Sequence, residues 1–104
     1  MAHLLNTDYD ILDYAGKNDQ KRLLELLDCG VDINIQDVDR YWCSLIHRGN
    51  TPLHMAASFG QKGCIELLVK RGADLNKQDK RGVTPLHTLV LKRYDILVLW
   101  LVRV

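Results

Sequence analysis

The clearest pattern along the chain is a pair of short apolar runs set between glycines. It is most regular over residues 50–79, NTPLHMAASFGQKGCIELLVKRGADLNKQD. Thr51 followed by Pro52 puts a hydroxyl that can accept from free backbone N–H groups just ahead of a residue whose fixed φ suits the first helical position. A helix is therefore expected to start there. Leu53, His54, Met55, Ala56 and Ala57 are mostly small or apolar, which suits a short helix packed closely on its neighbours, and Gly60 supplies the left-handed residue that ends it. A second helix is predicted over 62–71. Cys64, Ile65, Leu67, Leu68 and Val69 form a broad apolar stripe at helical spacing, Lys62, Glu66, Lys70 and Arg71 take the wet side, and Gly72 stops the helix. Two helices this short cannot bury their apolar faces alone, so the unit needs copies of itself.

Those copies are present. Thr84-Pro85-Leu86-His87 repeats Thr51-Pro52-Leu53-His54 33 residues later, and Gly30-Val31-Asp32-Ile33-Asn34 stands 42 residues ahead of Gly72-Ala73-Asp74-Leu75-Asn76. The TPLH signature at this period resembles the ankyrin repeat family over nearly the whole chain. The resemblance implies an all-α solenoid of antiparallel helix pairs with β-hairpin-type finger loops, forming a single domain over 1–104. Its expected parts are repeat 1 at about 4–36, an insertion in the finger over 38–48, repeat 2 over 49–81 and a partial repeat 3 over 82–104.

Residues 8–37 align with 50–79 without a gap. Ile11 stands for Leu53, Leu12 for His54, Tyr14 for Ala56 and Asn18 for Gly60. On the second helix Arg22 replaces Cys64 and Glu25 replaces Leu67, three positions apart and so on one face. A polar stacking face marks a terminal repeat that turns one side to water, although ordinary surface drift gives the same pattern. In the third repeat Leu89 and Val90 replace the two alanines, and Arg93 stands where Gly60 ends the earlier helix. The last helix, expected over 95–104, reads DILVLWLVRV and is apolar nearly all round. Such a face needs a cover, so Leu97, Leu99, Trp100 and Val104 are candidates for stacking on a following repeat or for self-association.

The finger between the first two repeats is longer than its successor by nine residues. The insertion carries Tyr41, Trp42, Leu45 and Ile46 with Asp39, Arg40, His47 and Arg48, an aromatic and arginine mixture of the kind found at binding hot spots. It either meets a partner or folds back on the inner helices. The family binds proteins through finger tips and the exposed side of the inner helices. Carried over by position, the resemblance implies contacts at His47, Arg48, Asn50, Ser58 and Phe59 in the second repeat, and at Lys80, Arg81, Val83, Leu91 and Lys92 in the third. Lys17 is the nearest match in the first. Phe59 and Leu91 would then be apolar centres rimmed by cations, which fits a protein or peptide partner of acidic character.

Composition narrows the rest. A hydrophobic content of 47% over 104 residues allows one small core. The net charge of +1 gives no general pull toward nucleic acid, and the last helix is too short to span a bilayer. The first residues, MAHLLNTDYDILD, do not read as a signal peptide, and three cysteines without framework spacing suit a reducing compartment. An intracellular location is expected, cytoplasmic or nuclear, with Cys64 a packed free thiol. Cys43 and His47 have the spacing of a zinc pair, but no second pair completes four ligands. His54 and His87 match the family's scaffold histidine. No phosphate-binding loop or nucleophile elbow is present.

The reading is thus a non-catalytic protein-interaction module without cofactor, an adaptor or targeting segment of a larger protein. The alternative is a segment regulating an enzymatic or lipid-transfer domain of the same parent chain. One outcome tests the organisation directly. Shortening 38–48 to a two-residue finger should leave the far-ultraviolet circular dichroism and the cooperative melt in place, and an unfolded product would show that the insertion belongs to the core.

Overall fold

The computed structural model describes residues 10–36 and 49–91. Within them the chain is all-helical. Helix α1 covers 10–16, α2 runs Gln20–Asp28, α3 Pro52–Ser58, α4 Lys62–Lys70 and α5 Pro85–Leu91. Helix α3 packs on both α4 and α5, and α2 packs on α4, so the helices stack as successive pairs. The core runs through the stack as one cluster of small and branched side chains. It takes Ile11, Leu12 and Ala15 from α1, Leu23 from α2, Leu53, Ala56 and Ala57 from α3, Cys64, Ile65 and Leu68 from α4, and Leu89 from α5. The expected stripe on α4 narrows accordingly, with Leu67 and Val69 only half-buried.

The helix ends explain how such short elements hold. Four of them close with the same pair of bonds. Gly60 N–H reaches Ala57 C=O and Gln61 N–H reaches Ala56 C=O, and the pattern recurs at 18/19, 30/31 and 72/73. This closure needs a left-handed residue. Gly60 sits at φ 65° and Asn18, its counterpart, at φ 60°, an arrangement asparagine tolerates better than other side chains. Helix α2 begins with the Asp19 carboxylate accepting from Arg22 N–H at 3.2 Å. Gln61 at the matching position gives its own helix no such bond, and its amide instead donates to Gly16 C=O at 2.9 Å, tying α4 to the preceding pair. Gly63 allows this closeness. A Cβ there would lie 2.0 Å from the Gln20 amide nitrogen.

On the loop side the pairs are joined by side chains reaching forward one unit. Asn34 accepts from Asp74 N–H at 2.8 Å, and Arg71 pairs with Asp28. The Gln36 amide donates to Gly49 C=O at 2.9 Å and to Gln78 C=O at 2.8 Å, so one residue holds the segments on either side of the long finger and the base of the next. The short finger between Asp79 and Val83 closes as a hydrogen-bonded turn, Asp79 N–H to Val83 C=O at 2.9 Å and Gly82 N–H to Asp79 C=O at 3.0 Å. No strand is formed among the described residues.

The Asp79 carboxylate, buried inside this turn, accepts from Arg81 N–H, Val83 N–H and the Arg81 guanidinium. Burial alone would raise its pKa, but these bonds outweigh that cost and hold it below the ordinary value. His54 closes the network. Its Nδ1 lies 3.1 Å from Thr51 N–H, which can only donate, so Nδ1 is the acceptor. Its Nε2 lies 2.7 Å from Val83 C=O, which can only accept, so Nε2 carries the proton. The ring is neutral and its tautomer is fixed by its two backbone partners. Burial pushes the imidazole below its ordinary value near 6.5, against the Val83 carbonyl and the Asp79 charge, which favour protonation.

This arrangement sets a pH window. Because the folded pKa lies below that of the unfolded chain, His54 contributes stability that is complete above pH 6.5 and is lost as the pH falls through the folded value. His54→Ala should cost about 1–3 kcal/mol at pH 7.5 by leaving Thr51 N–H unpaired and Val83 C=O with Asp79 N–H as its remaining donor. Urea unfolding across a pH series should show a weaker decline below pH 6.5 in the variant than in the parent. Parallel declines would show that His54 is not the group responsible.

Candidate functional site

Three large apolar side chains stand exposed among the described residues. Phe59 is 57% exposed, Val90 56% and Leu91 75%. Phe59 is the C-cap of α3, directly before the left-handed Gly60, so the turn that ends the helix also fixes the base of its side chain. Its ring lies over Gly16 at the end of α1. A Cβ on Gly16 would meet the Phe59 ring at 3.3 Å and the Met55 methyl at 3.6 Å. The missing side chain makes room for an aromatic that bridges the first two inner helices while one side stays in water. Leu91 and Val90 end α5 on the other side of α3.

The expected contact positions divide. Phe59, Leu91, Lys80 and Arg81 are exposed, while Ser58 and Val83 are half-buried. Asn50 departs from the expectation of an accessible finger residue. It is 2% exposed, with its amide nitrogen 3.9 Å from Met55 Sδ, because it directly precedes the helix cap and turns inward with it. Tyr41, Trp42, His47, Arg48, Lys92, Leu97, Leu99, Trp100 and Val104 lie outside the described residues.

The electrostatics are uneven. Arg81 gives its guanidinium to Asp79 at 2.9 Å, so part of its charge is spent inside the finger. Lys17, Lys62 and Lys80 are also exposed. At the opposite end Tyr14 and Arg22, which take the places of the fully buried Ala56 and Cys64, lie together with the guanidinium 5.8 Å from the ring centre. Arg22 and Glu25 are exposed, so this end presents charge where an inner unit presents apolar surface.

Chemistry on this frame is limited by what is buried. The Cys64 thiol is free and buried, and burial, with a smaller contribution from the Asp19 charge, pushes its pKa up to about 11. At neutral pH it is protonated and unreactive. No group of three His, Cys, Asp or Glu that could hold a metal comes together among the described residues, and none of their helices is long and apolar enough to cross a membrane. Sequence reasoning missed Val90 as an exposed apolar residue and Gln36 as a clasp. The signal for Val90 was its bulk at the position of Ala57. Gln36 carried none, since its partners are 13 and 42 residues away.

Comparison with known proteins agrees with the geometry. The family of ankyrin repeats, described as three copies, matches residues 12–103. Human Rabankyrin-5 is 39% identical over 54 residues, 52% of this chain and 5% of that protein. Serine/threonine-protein kinase 12 of Arabidopsis thaliana is 33% identical over 84 residues, 80% of this chain and 16% of that protein. A putative ankyrin repeat protein of fowlpox virus is 42% identical over 86 residues, 80% of this chain and 15% of that protein. The chain thus spans a small part of each relative. With stacked helix pairs, a histidine-closed cap at Thr51-Pro52-Leu53-His54 and a match over most of its length, this chain belongs to the ankyrin repeat family.

Proposed function

We propose that this chain is a non-catalytic recognition module that holds a protein or peptide against the inner-helix face bearing Phe59 and Leu91. The observation that carries the reading is the exposure of Phe59 on a rigid helix end, with its ring seated on Gly16. An aromatic held in one place and left half in water gives a partner apolar area at little cost in side-chain entropy. Ankyrin repeats generally bind proteins, which supports the same reading. The exposed Lys17, Lys80 and Arg81 favour a partner with acidic residues beside an apolar anchor. Tyr41, Trp42, His47, Arg48 and Lys92 extend this surface in the proposal, and repeats at about 4–36, 49–81 and 82–104 are its working units. The setting is an adaptor or targeting segment inside a larger intracellular protein.

One observation favours a second reading. The relative from Arabidopsis thaliana is named a protein kinase, and the stretch like this chain makes up 16% of it. In such a setting the same face would act on a domain of its own parent chain.

Panning a displayed peptide library against the chain should enrich peptides with Asp or Glu flanking an apolar residue. Phe59→Ser with Leu91→Ser should weaken the selected peptides about tenfold or more, since loss of a buried anchor costs more than about 1 kcal/mol. The melting temperature should change little. Unchanged binding in the double variant, or a large drop in stability, would contradict the assignment of this face.

A further inference from the structure

The turn that ends α3 is docked on the end of α1, and the two contacts that dock it fall on one residue. A Cβ on Gly16 would meet the Phe59 ring at 3.3 Å, and the Gly16 carbonyl accepts from the Gln61 amide at 2.9 Å. Phe59 and Gln61 are separated only by the left-handed Gly60, at φ 65°. On the side of α3 the turn is closed by Gly60 N–H to Ala57 C=O and Gln61 N–H to Ala56 C=O, which sets its backbone. The ring keeps its side-chain torsions, and only its seat on α1 selects among their staggered wells.

Gln61 makes its bond at the expense of its own helix. It is the N-cap residue of α4, yet its side chain caps nothing there. At the matching position of the first pair stands Asp19, whose carboxylate accepts from Arg22 N–H and caps α2. Aspartate is among the best N-caps, but an ionised carboxylate has no proton to give to a carbonyl such as that of Gly16. The residue in the place of Phe59 changes as well, to Lys17. Aromatic and clamp thus stand together in the second unit, and lysine and cap in the first.

We infer that Gln61 is a positioning residue for Phe59. By holding the Gly16 carbonyl it keeps the end of α1 against the turn, so the bare Gly16 stays under the ring and the ring offers one fixed side to a partner. The consequence for binding rests on the face proposed above. Without the clamp the ring loses its seat, and a partner has to order it on binding, which weakens affinity.

Gln61→Asp separates this role from that of a simple tie between helix pairs. It supplies the cap that α2 has and removes the clamp, so the melting temperature should hold or rise while affinity for peptides selected on the parent chain falls about two- to tenfold. The nuclear Overhauser contact between the Gly16 α-protons and the Phe59 ring should weaken in the same variant. Gln61→Glu, equal in length but without a donor, should weaken contact and affinity alike. A ring contact that persists in both variants would overturn the inference, as would an affinity that is unchanged once the contact is lost. So would a lower melting temperature of Gln61→Asp, since the residue would then serve the stack and not the ring. Selected peptides indifferent to Phe59→Ser would contradict the face itself, and the ring contact alone would then decide for or against Gln61 as the residue that seats Phe59.

Discussion

The imidazole of His54 joins the cap of its own helix to the finger of the next unit, and the neighbouring parts of the fold meet at that ring. The helices are too short to be stable alone. Each therefore depends on a well-made terminus and on the unit beside it, and His54 supplies both at once. Thr51 N–H donates to one ring nitrogen and the other donates to Val83 C=O. The same carbonyl also accepts from Asp79 N–H, and the Asp79 carboxylate fixes the turn that presents it. Cap, finger and stacking interface thus share one hydrogen-bonded network. Breaking it at the imidazole removes a hydrogen bond from each of two units and leaves the buried Thr51 N–H unpaired, a larger penalty than losing one exposed bond.

The same junction fixes the base of an exposed aromatic. Phe59 follows α3 by one residue and Gly60 turns the chain away, so the ring is placed by the same helix that His54 anchors. On the first pair Tyr14 and Arg22 lie together, with the guanidinium 5.8 Å from the ring centre.

Much of this was legible in the sequence because it rests on local chemistry. Thr51-Pro52 and Gly60 set the ends of α3 through bonds spanning a few residues, and Asn18 was readable as a substitute for Gly60 for the same reason. The polar face at Arg22 and Glu25 followed from helical spacing. The clasps made by Gln36 and Gln61 were not legible, since glutamines in polar loops look alike until the fold brings carbonyls 42 and 45 residues away within reach. Asn50 was misplaced because its neighbours in sequence belong to a finger, whereas its side chain belongs to the cap. The candidate face was read in part. The exposure of Phe59 and Leu91 was expected from family position, but the seat that Gly16 makes for Phe59 depends on two helices meeting.

Nitrogen-15 spectroscopy of the His54 ring at pH 7.5 tests the central claim most directly. A neutral imidazole protonated at Nε2, with a slowly exchanging ring proton and a coupling across the hydrogen bond to Val83 C=O, is the predicted result. A ring that is protonated at both nitrogens at that pH, or neutral with its proton on Nδ1, would contradict the network on which this account of the fold depends.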